Sequence, residues 1–325
     1  MGLYRSVGRP LFFALSPEAS HRAAMALLRL PLPWSTIGGA VDDPSLAVDL
    51  CGIQLRNPIG LAAGFDKECS VLPALGGLGF GYVVGGTVTR LPREGNQKPR
   101  ITRIRSKRAL VNSMGLPNPG VDEVARKLSG GSGRKAAFLV SLADEDVADV
   151  VHNRDVLQPL VDGFEMNVSS PNSPWRHDRE DNAGYLRRVL SALAGGMSVP
   201  LFVKLPPYRT PEEREAVMGL ARIAAEGGAS GLTCSNTRPV EEPRLARGRG
   251  GFSGPELMED TPRIVEQVRN ETGLTINACG GVFTARDVRR CLDAGAATVQ
   301  VYTALIYEGP GLPGSLTSGI VSAIG

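Results

Sequence analysis

The chain has 325 residues, 42% hydrophobic and 21% charged, a balance that belongs to a folded globular protein and not to a disordered one. Its formal net charge of +3 is too small to indicate a nucleic-acid partner. The five cysteines and three histidines show no CxxC or Cys/His spacing, so they read as reduced thiols and isolated imidazoles with no metal site, and no apolar run approaches the length of a membrane span.

In chain order, the first 40 residues stand outside any β/α rhythm. They hold Arg5, Arg9, Arg22 and Arg29 against Glu18 alone, so the basic excess of the chain sits here. Ser16 and Pro17 make a cap followed by a first-turn proline, which predicts a helix through Leu30 with Ala24, Met25, Leu27 and Leu28 apolar. A shorter apolar helix around Leu11, Phe12 and Phe13 precedes it. A linker and an irregular or short-stranded stretch, 45–56, follow. We read 1–40 as a helical extension and 41–325 as the main domain; the apolar run at Pro10–Leu15 is too short for a secretory signal.

From Asn57 onward, strand candidates at 57–63, 82–88, 136–142, 164–169, 200–205, 231–235, 274–279 and 298–303 are almost continuously apolar, as parallel strands covered on both faces are. Amphipathic helices are predicted between them. The stretch 211–226 opens with a proline and acids and closes on Gly227 and Gly228, and 284–294 starts from a threonine cap and stops before Gly295. The stretches 182–194 and 255–270 share that periodicity. Eight β-then-α units in succession predict an α/β fold, a closed (β/α)8 TIM barrel. One long stretch, 89–120, is rich in Pro, Gly, Asn and Arg and is expected to be a structureless insertion over the barrel mouth.

In such a barrel, working side chains come from the C-terminal ends of strands and the loops after them. The predicted ends carry Lys67, Thr87, Ser141, Asn167 with Ser170, Lys204, Ser235 with Asn236, Gly280 with Gly281, and Tyr302 with Thr303. A purely structural barrel has no need of a polar group or glycine at nearly every tip, so the pattern points to a ligand-binding mouth. Neither a paired-carboxylate set nor a G-x-S-x-G elbow accompanies it. Amides suit a planar hydrogen-bonding heterocycle, lysines suit an anion or a reduced flavin, and the late glycines let backbone N–H groups approach a phosphate. A phosphorylated flavin meets all three demands. The GPGLPG string at Gly309–Gly314 matches a dinucleotide fingerprint, but it holds two prolines and stands apart from a strand, so it is set aside.

The strings NPIGLAAGFDK (57–67), GTVTRLPREGNQKPRITR (86–103), NSMGLPNPG (112–120), FEMNVSSPNSP (164–174), VKLPP (203–207), SNT (235–237), GGFSGPEL (250–257) and VQVYTALIYEGP (299–310) occur in this order. Together they resemble the dihydroorotate dehydrogenases across residues 10–312. The resemblance implies FMN across the barrel mouth, accepting a hydride from C6 of dihydroorotate while Ser170 removes the C5 proton and passes it to water. It implies that Asn112, Asn172 and Asn236, with Thr237 and the backbone of Ser113, Met114, Gly115 and Leu116, hold the pyrimidine. Lys67 would serve the orotate carboxylate and the flavin, and Lys204 the N1/O2 edge of the flavin. Ala63, Gly64, Thr87, Ser141, Asn167 and Ser235 would line the ring and ribityl chain, with Gly254, Gly281, Tyr302 and Thr303 at the phosphate.

Serine at the base position and the extension LFFALSPEASHRAAMALLRL (11–30) are similar to the class 2 enzymes, which sit on membranes and reduce quinones. The strings NSMGLPN, VKLPPY and SLA (141–143) are similar to the soluble class 1A. The implied acceptor is a quinone, and the implied place is the cytoplasmic face of the cell membrane, reached through the extension. A soluble fumarate-type enzyme, or an FMN oxidoreductase of the same fold acting on another heterocycle, remain the alternatives.

Overall fold

A computed structural model of the chain describes residues 2–130, 135–168 and 182–322. After the extension comes an antiparallel hairpin, β1 (Val48–Leu50) and β2 (Ile53–Leu55), in the stretch expected to be irregular or short-stranded. Then follow β3 (Ile59–Leu61), β4 (Tyr82–Val88), β5 (Ile101–Ile104), β6 (Ala109–Asn112), β7 (Ala137–Leu142), β8 (Gly163–Asn167), β9 (Leu201–Leu205), β10 (Gly231–Cys234), β11 (Arg238–Glu241), β12 (Arg249–Ser253), β13 (Thr275–Cys279) and β14 (Thr298–Val301). Strands β3, β4, β7, β8, β9, β10, β13 and β14 pair in parallel and close into a barrel, with Val299 of β14 opposite Ile59 of β3. These are the eight runs read from the sequence.

The floor of the barrel is filled where β1 and β2 fold under it: Leu50 and Leu55 pack with Tyr82, Val84, Leu139 and Phe202. Gly60 makes room there, because a Cβ at that position would lie 2.3 Å from the Tyr82 ring. The outer layer is built from helices whose ends follow their capping residues. In α8 (Pro211–Glu226) and α10 (Ala285–Asp293), Thr210 with Glu213 and Thr284 with Asp287 form reciprocal capping boxes. Helix α7 (Asn182–Ala194) matches its predicted span, and the predicted 255–270 stretch splits into a 3-10 turn, Pro255–Glu259, and α9 (Thr261–Thr272).

The insertion 89–120 is not structureless. Its strands β5 and β6 form a hairpin that joins β12 and β11 from a second excursion, giving an antiparallel sheet in the order β11-β12-β6-β5. Ala109, Val111, Leu245, Phe252 and Leu257 give this sheet a small core of its own.

The extension folds as a π-helical turn at Tyr4–Gly8, α1 (Arg9–Ala14), α2 (Pro17–Leu28) and α3 (Trp34–Gly38), with Ser16 capping α2. Its inner side carries Phe13, Met25 and Leu28, all buried, and Phe13 stands edge-on to Tyr307 at 5.1 Å. Polar ties hold it in place: Tyr4 donates to the Ile306 carbonyl at 2.8 Å, Arg103 donates to the Leu15 carbonyl at 2.8 Å, and Arg5 pairs with Glu308.

Candidate active site

A cavity of about 880 Å3 opens at the C-terminal ends of the barrel strands and runs on, without a wall, between the barrel and helices α1 and α2. Its barrel half is the more polar, and its helix half sets an apolar wall of Phe12, Phe13, Met25 and Leu28 beside Glu18, Arg22 and Arg29. On the barrel side, hydrogen bonds join side chains at the ends of β4, β7, β8 and β10 into one row. The Ser141 and Thr87 hydroxyls lie 3.0 Å apart, Asn167 donates to Thr87 at 3.2 Å, and Asn236 donates to Asn167 at 3.5 Å. Each bond restricts a rotamer, so the row presents preset donors and acceptors to the cavity.

Two lysines face this row. Lys204, buried at the end of β9, donates to Glu165 at 3.2 Å and to the Gln300 side-chain oxygen at 3.4 Å. Burial alone would lower its pKa, but Cys279 and Glu165 reverse the direction and raise it. Lys67 is different. It donates to the Gly64 carbonyl, and burial, then the positive Arg100, bring its pKa down to about 8. One lysine is a fixed cation and the other a cation that neutral-to-alkaline pH can remove.

At the far side of the mouth, backbone replaces side chains. Gly280 and Gly281 both have positive φ, 135° and 79°, and a Cβ on Gly281 would meet the Met258 nitrogen at 2.3 Å. A Cβ on Gly254 would meet that of Ala109 at 2.6 Å. Thr303, at the start of α11 (Thr303–Glu308), bonds the Ser253 hydroxyl at 2.9 Å and brings a helix N-terminus to the same spot. Closely spaced backbone of this kind, with no Cβ in the way, leaves N–H groups that an anion could approach.

Towards the helices, Tyr302 stands edge-on to Phe65 at 6.1 Å, and Phe65 edge-on to His21 at 5.5 Å. These rings lead from the polar half into the apolar one, which Phe12, Phe13, Met25 and Leu28 also line. Burial, then the positive charge of Lys67, lower the His21 pKa to about 3, so its imidazole is neutral at physiological pH. Burial pushes the Tyr302 hydroxyl up to about 12.

Residues 45–324 match the family model for dihydroorotate dehydrogenase. The chain belongs to the dihydroorotate dehydrogenase family. It is 36% identical to a dihydroorotate dehydrogenase (quinone) of Erythrobacter litoralis, over 97% of this chain and 94% of that one. It is also 36% identical to that of Mesorhizobium japonicum, over 98% and 92%. The crystal structure of DHODH in complex with ferulenol from Eimeria tenella has a similar fold, with a TM-score of 0.84, 28% identity and coverage of 95% and 92%.

Most residues that the family resemblance singled out line this one cavity. Ala63, Gly64, Lys67, Thr87, Asn167, Lys204 and Ser235 lie on the barrel side. Asn112, Met114, Gly115, Leu116, Asn236 and Thr237 lie along the wall made by the inserted sheet and the loop after β10. Gly254, Gly281, Tyr302 and Thr303 lie at the far side of the mouth. Ser141 and Ser113 are both buried: the Ser141 hydroxyl lies 3.0 Å from that of Thr87, and the Ser113 carbonyl accepts from Asn96 at 3.0 Å. Ser170 and Asn172 lie outside the described residues.

Sequence reasoning missed Glu165, Gln300, Thr233 and His21. Glu165 accepts from Lys204, from Gln300 at 3.0 Å and from Thr233 at 2.8 Å, all inside the barrel. A signal existed: Glu165 is two residues before Asn167, and a strand turns such a pair to one face.

Proposed function

We propose that this protein is a dihydroorotate dehydrogenase that oxidises dihydroorotate to orotate in de novo pyrimidine biosynthesis, with FMN as its cofactor and a quinone as the electron acceptor. The observation that carries this reading is the single cavity with two unlike halves. A small anionic pyrimidine fits the amide and lysine end, and an apolar acceptor fits the space between helices and barrel. The quinone-type names of the full-length relatives support it.

The residues present fit FMN. Lys204, Asn167, Thr87, Ala63, Gly64 and Ser235 would hold the ring and ribityl chain, with Ser141 setting Thr87, and Gly254, Gly281, Tyr302 and Thr303 would receive the phosphate. A Cβ at Gly281 or Gly254 would collide with backbone or side chain, which supports a cradle built for close approach. Bound flavin supplies the hydride-accepting chemistry. Asn112, Asn172, Asn236 and Thr237 orient the pyrimidine, joined by the backbone of 113–116, and Lys67 in its charged form attracts the carboxylate. Ser170 takes the C5 proton and hands it to water.

The acceptor end belongs to the extension, residues 1–40, and the flavin end to the barrel, residues 41–325. A neutral His21 offers a hydrogen bond to a quinone oxygen without adding a charge beside Phe12, Phe13 and Met25. Among the described residues, eight of the nine exposed large hydrophobic side chains fall between Leu3 and Ile37, beside Arg22 and Arg29. Such a patch on short helices supports a peripheral position on the cytoplasmic face of the cell membrane. No described helix is long and apolar enough to cross a membrane.

The test is spectroscopic. Anaerobic dihydroorotate is expected to bleach the flavin of the purified protein, and a ubiquinone or menaquinone analogue to restore the colour. Recovery with fumarate and not with quinone would sink the acceptor assignment, and no bleaching would sink the substrate.

A further inference from the structure

The barrel interior holds a charge pair that binding alone does not require. The Glu165 carboxylate, 1% exposed, sits beneath the mouth and accepts from Lys204, Thr233 and Gln300. Gln300 works both ways, donating to Glu165 and accepting from Lys204 at 3.4 Å. Among the described residues, Tyr82 of β4 and Cys279 of β13 also act on this pair, and beside them Tyr82 and Thr298 are bonded at 2.8 Å and Thr298 donates to Asn277 at 2.6 Å. Burial raises the pKa of both Tyr82 and Cys279, so the phenol and the thiol are uncharged at neutral pH. Among the described residues packed around it, Glu165 is therefore the counter-charge that Lys204 meets at neutral pH, and Cys279 adds to it only where its thiol ionises.

A buried lysine with no counter-charge loses its proton readily. It regains the proton whenever a negative charge forms beside it. A lysine locked to a buried carboxylate does neither. We propose that Glu165 is a positioning residue for Lys204: from below the mouth it keeps the ammonium charged and aimed at the cavity, so the cofactor meets a permanent cation in both redox states. Thr233 and Gln300 hold the carboxylate in place, and Asn167, bonded to Thr87, stands beside Lys204 on the adjacent strand β8.

The inference rests on the flavin reading, and one experiment separates the two. The holoenzyme is titrated with dithionite in the presence of redox dyes between pH 7 and 9, and the midpoint potential of the flavin is followed. With Lys204 charged throughout, two electrons enter with one proton, which goes to the flavin. The equilibrium then shifts tenfold per pH unit, about 30 mV. In Glu165→Gln the amine is expected to be neutral while the flavin is oxidised. Reduction then brings in two protons, the second bound by the Lys204 amine, and the slope doubles. Equal slopes for the parent and Glu165→Gln overturn the inference. Where Glu165→Gln does not retain flavin, the parent decides: a one-proton slope supports the inference and a two-proton slope overturns it. A purified protein that carries no flavin and takes up no added FMN overturns the cofactor reading itself, and this inference with it.

Discussion

The guanidinium carbon of Arg103 lies 4.4 Å from the centre of the Phe13 ring, and the same side chain donates to the Leu15 carbonyl at 2.8 Å and to the Ser20 hydroxyl at 2.7 Å. A strand of the inserted sheet thus holds the turn between α1 and α2 against the cavity. Removing it takes away a cation–π contact and charged hydrogen bonds, each of the latter worth about 1.5–3 kcal/mol. Arg103→Ala is expected to slow reoxidation of the flavin by a quinone analogue by about 10-fold or more. Reduction by dihydroorotate should stay unchanged, because the pyrimidine end shares none of these contacts. Stopped-flow measurement of the two half-reactions checks this, and an equal loss in both would show that the extension does not serve the acceptor alone.

Lys67 gives the site a pH dependence with a definite sign. Its pKa is lowered to about 8, so below that pH it is a cation and above it a neutral amine. Orotate is an anion across the whole range. Its affinity is therefore expected to be flat below pH 8 and to fall by up to about tenfold per pH unit above it. Titrating orotate against flavin absorbance from pH 6 to 9.5 measures this. Lys67→Met should weaken binding at neutral pH and abolish the dependence; a Lys67→Met profile that still falls above pH 8 would place the titrating group elsewhere.

The barrel was legible because each strand is a nearly unbroken apolar run between helical stretches, and two of the helix ends carry their stop signals in Gly227 and Gly295. The inserted sheet was not. Ile101–Ile104 is half-buried along its whole length, so it shows no alternation, and the partner of β6 lies some 140 residues away at Gly251–Ser253. Local pattern carries no information about such a pairing. The site shows the same division. Lys204, Asn167 and the glycine pair stand at strand tips, where the fold predicts function. Glu165 and Gln300 sit deeper in the barrel, where a polar residue reads as an interruption until its partners are seen. Ser113 and Ser141 are both buried, and the burial of such a small polar side chain is set by packing that local sequence does not reveal.

Gly281 is the position where a methyl group should do the most harm to cofactor retention. Its φ of 79° is strained for any other residue, at about 1–3 kcal/mol. In addition, the new Cβ would lie 2.3 Å from the Met258 nitrogen, a backbone atom that cannot move without shifting the Pro255–Glu259 turn. Gly281→Ala is expected to purify with little flavin and a lower Tm, and added FMN should restore only part of the absorbance. A variant that binds FMN as tightly as the parent would remove Gly281 from the phosphate site.

Ser170→Ala tests the proton step assigned by resemblance to the family. A positioned base contributes about 10²–10⁴-fold, so anaerobic reduction by dihydroorotate should slow within that range while orotate binding is largely kept. Quinone-driven reoxidation should not change. Lost orotate binding with unchanged reduction would make Ser170 a binding residue instead.

Leu3 and Leu11 are 79% and 67% exposed on the outer side of the extension, too far from the barrel core to be explained by packing within the chain. If they enter a bilayer, each contributes about 1.5–3 kcal/mol to binding, and a charge in its place adds a desolvation cost. Leu3→Glu combined with Leu11→Glu is expected to lower partition onto anionic phospholipid vesicles by about 100-fold or more, as read by cosedimentation. Turnover with dihydroorotate and a water-soluble dye should be unaffected, since neither side chain lines the cavity. The exposed Arg22 and Arg29 of the same extension add attraction that salt screens, so the parent should release partly at high ionic strength, while the apolar part of its binding remains. Unchanged sedimentation of the double variant would mean that this face meets something other than lipid.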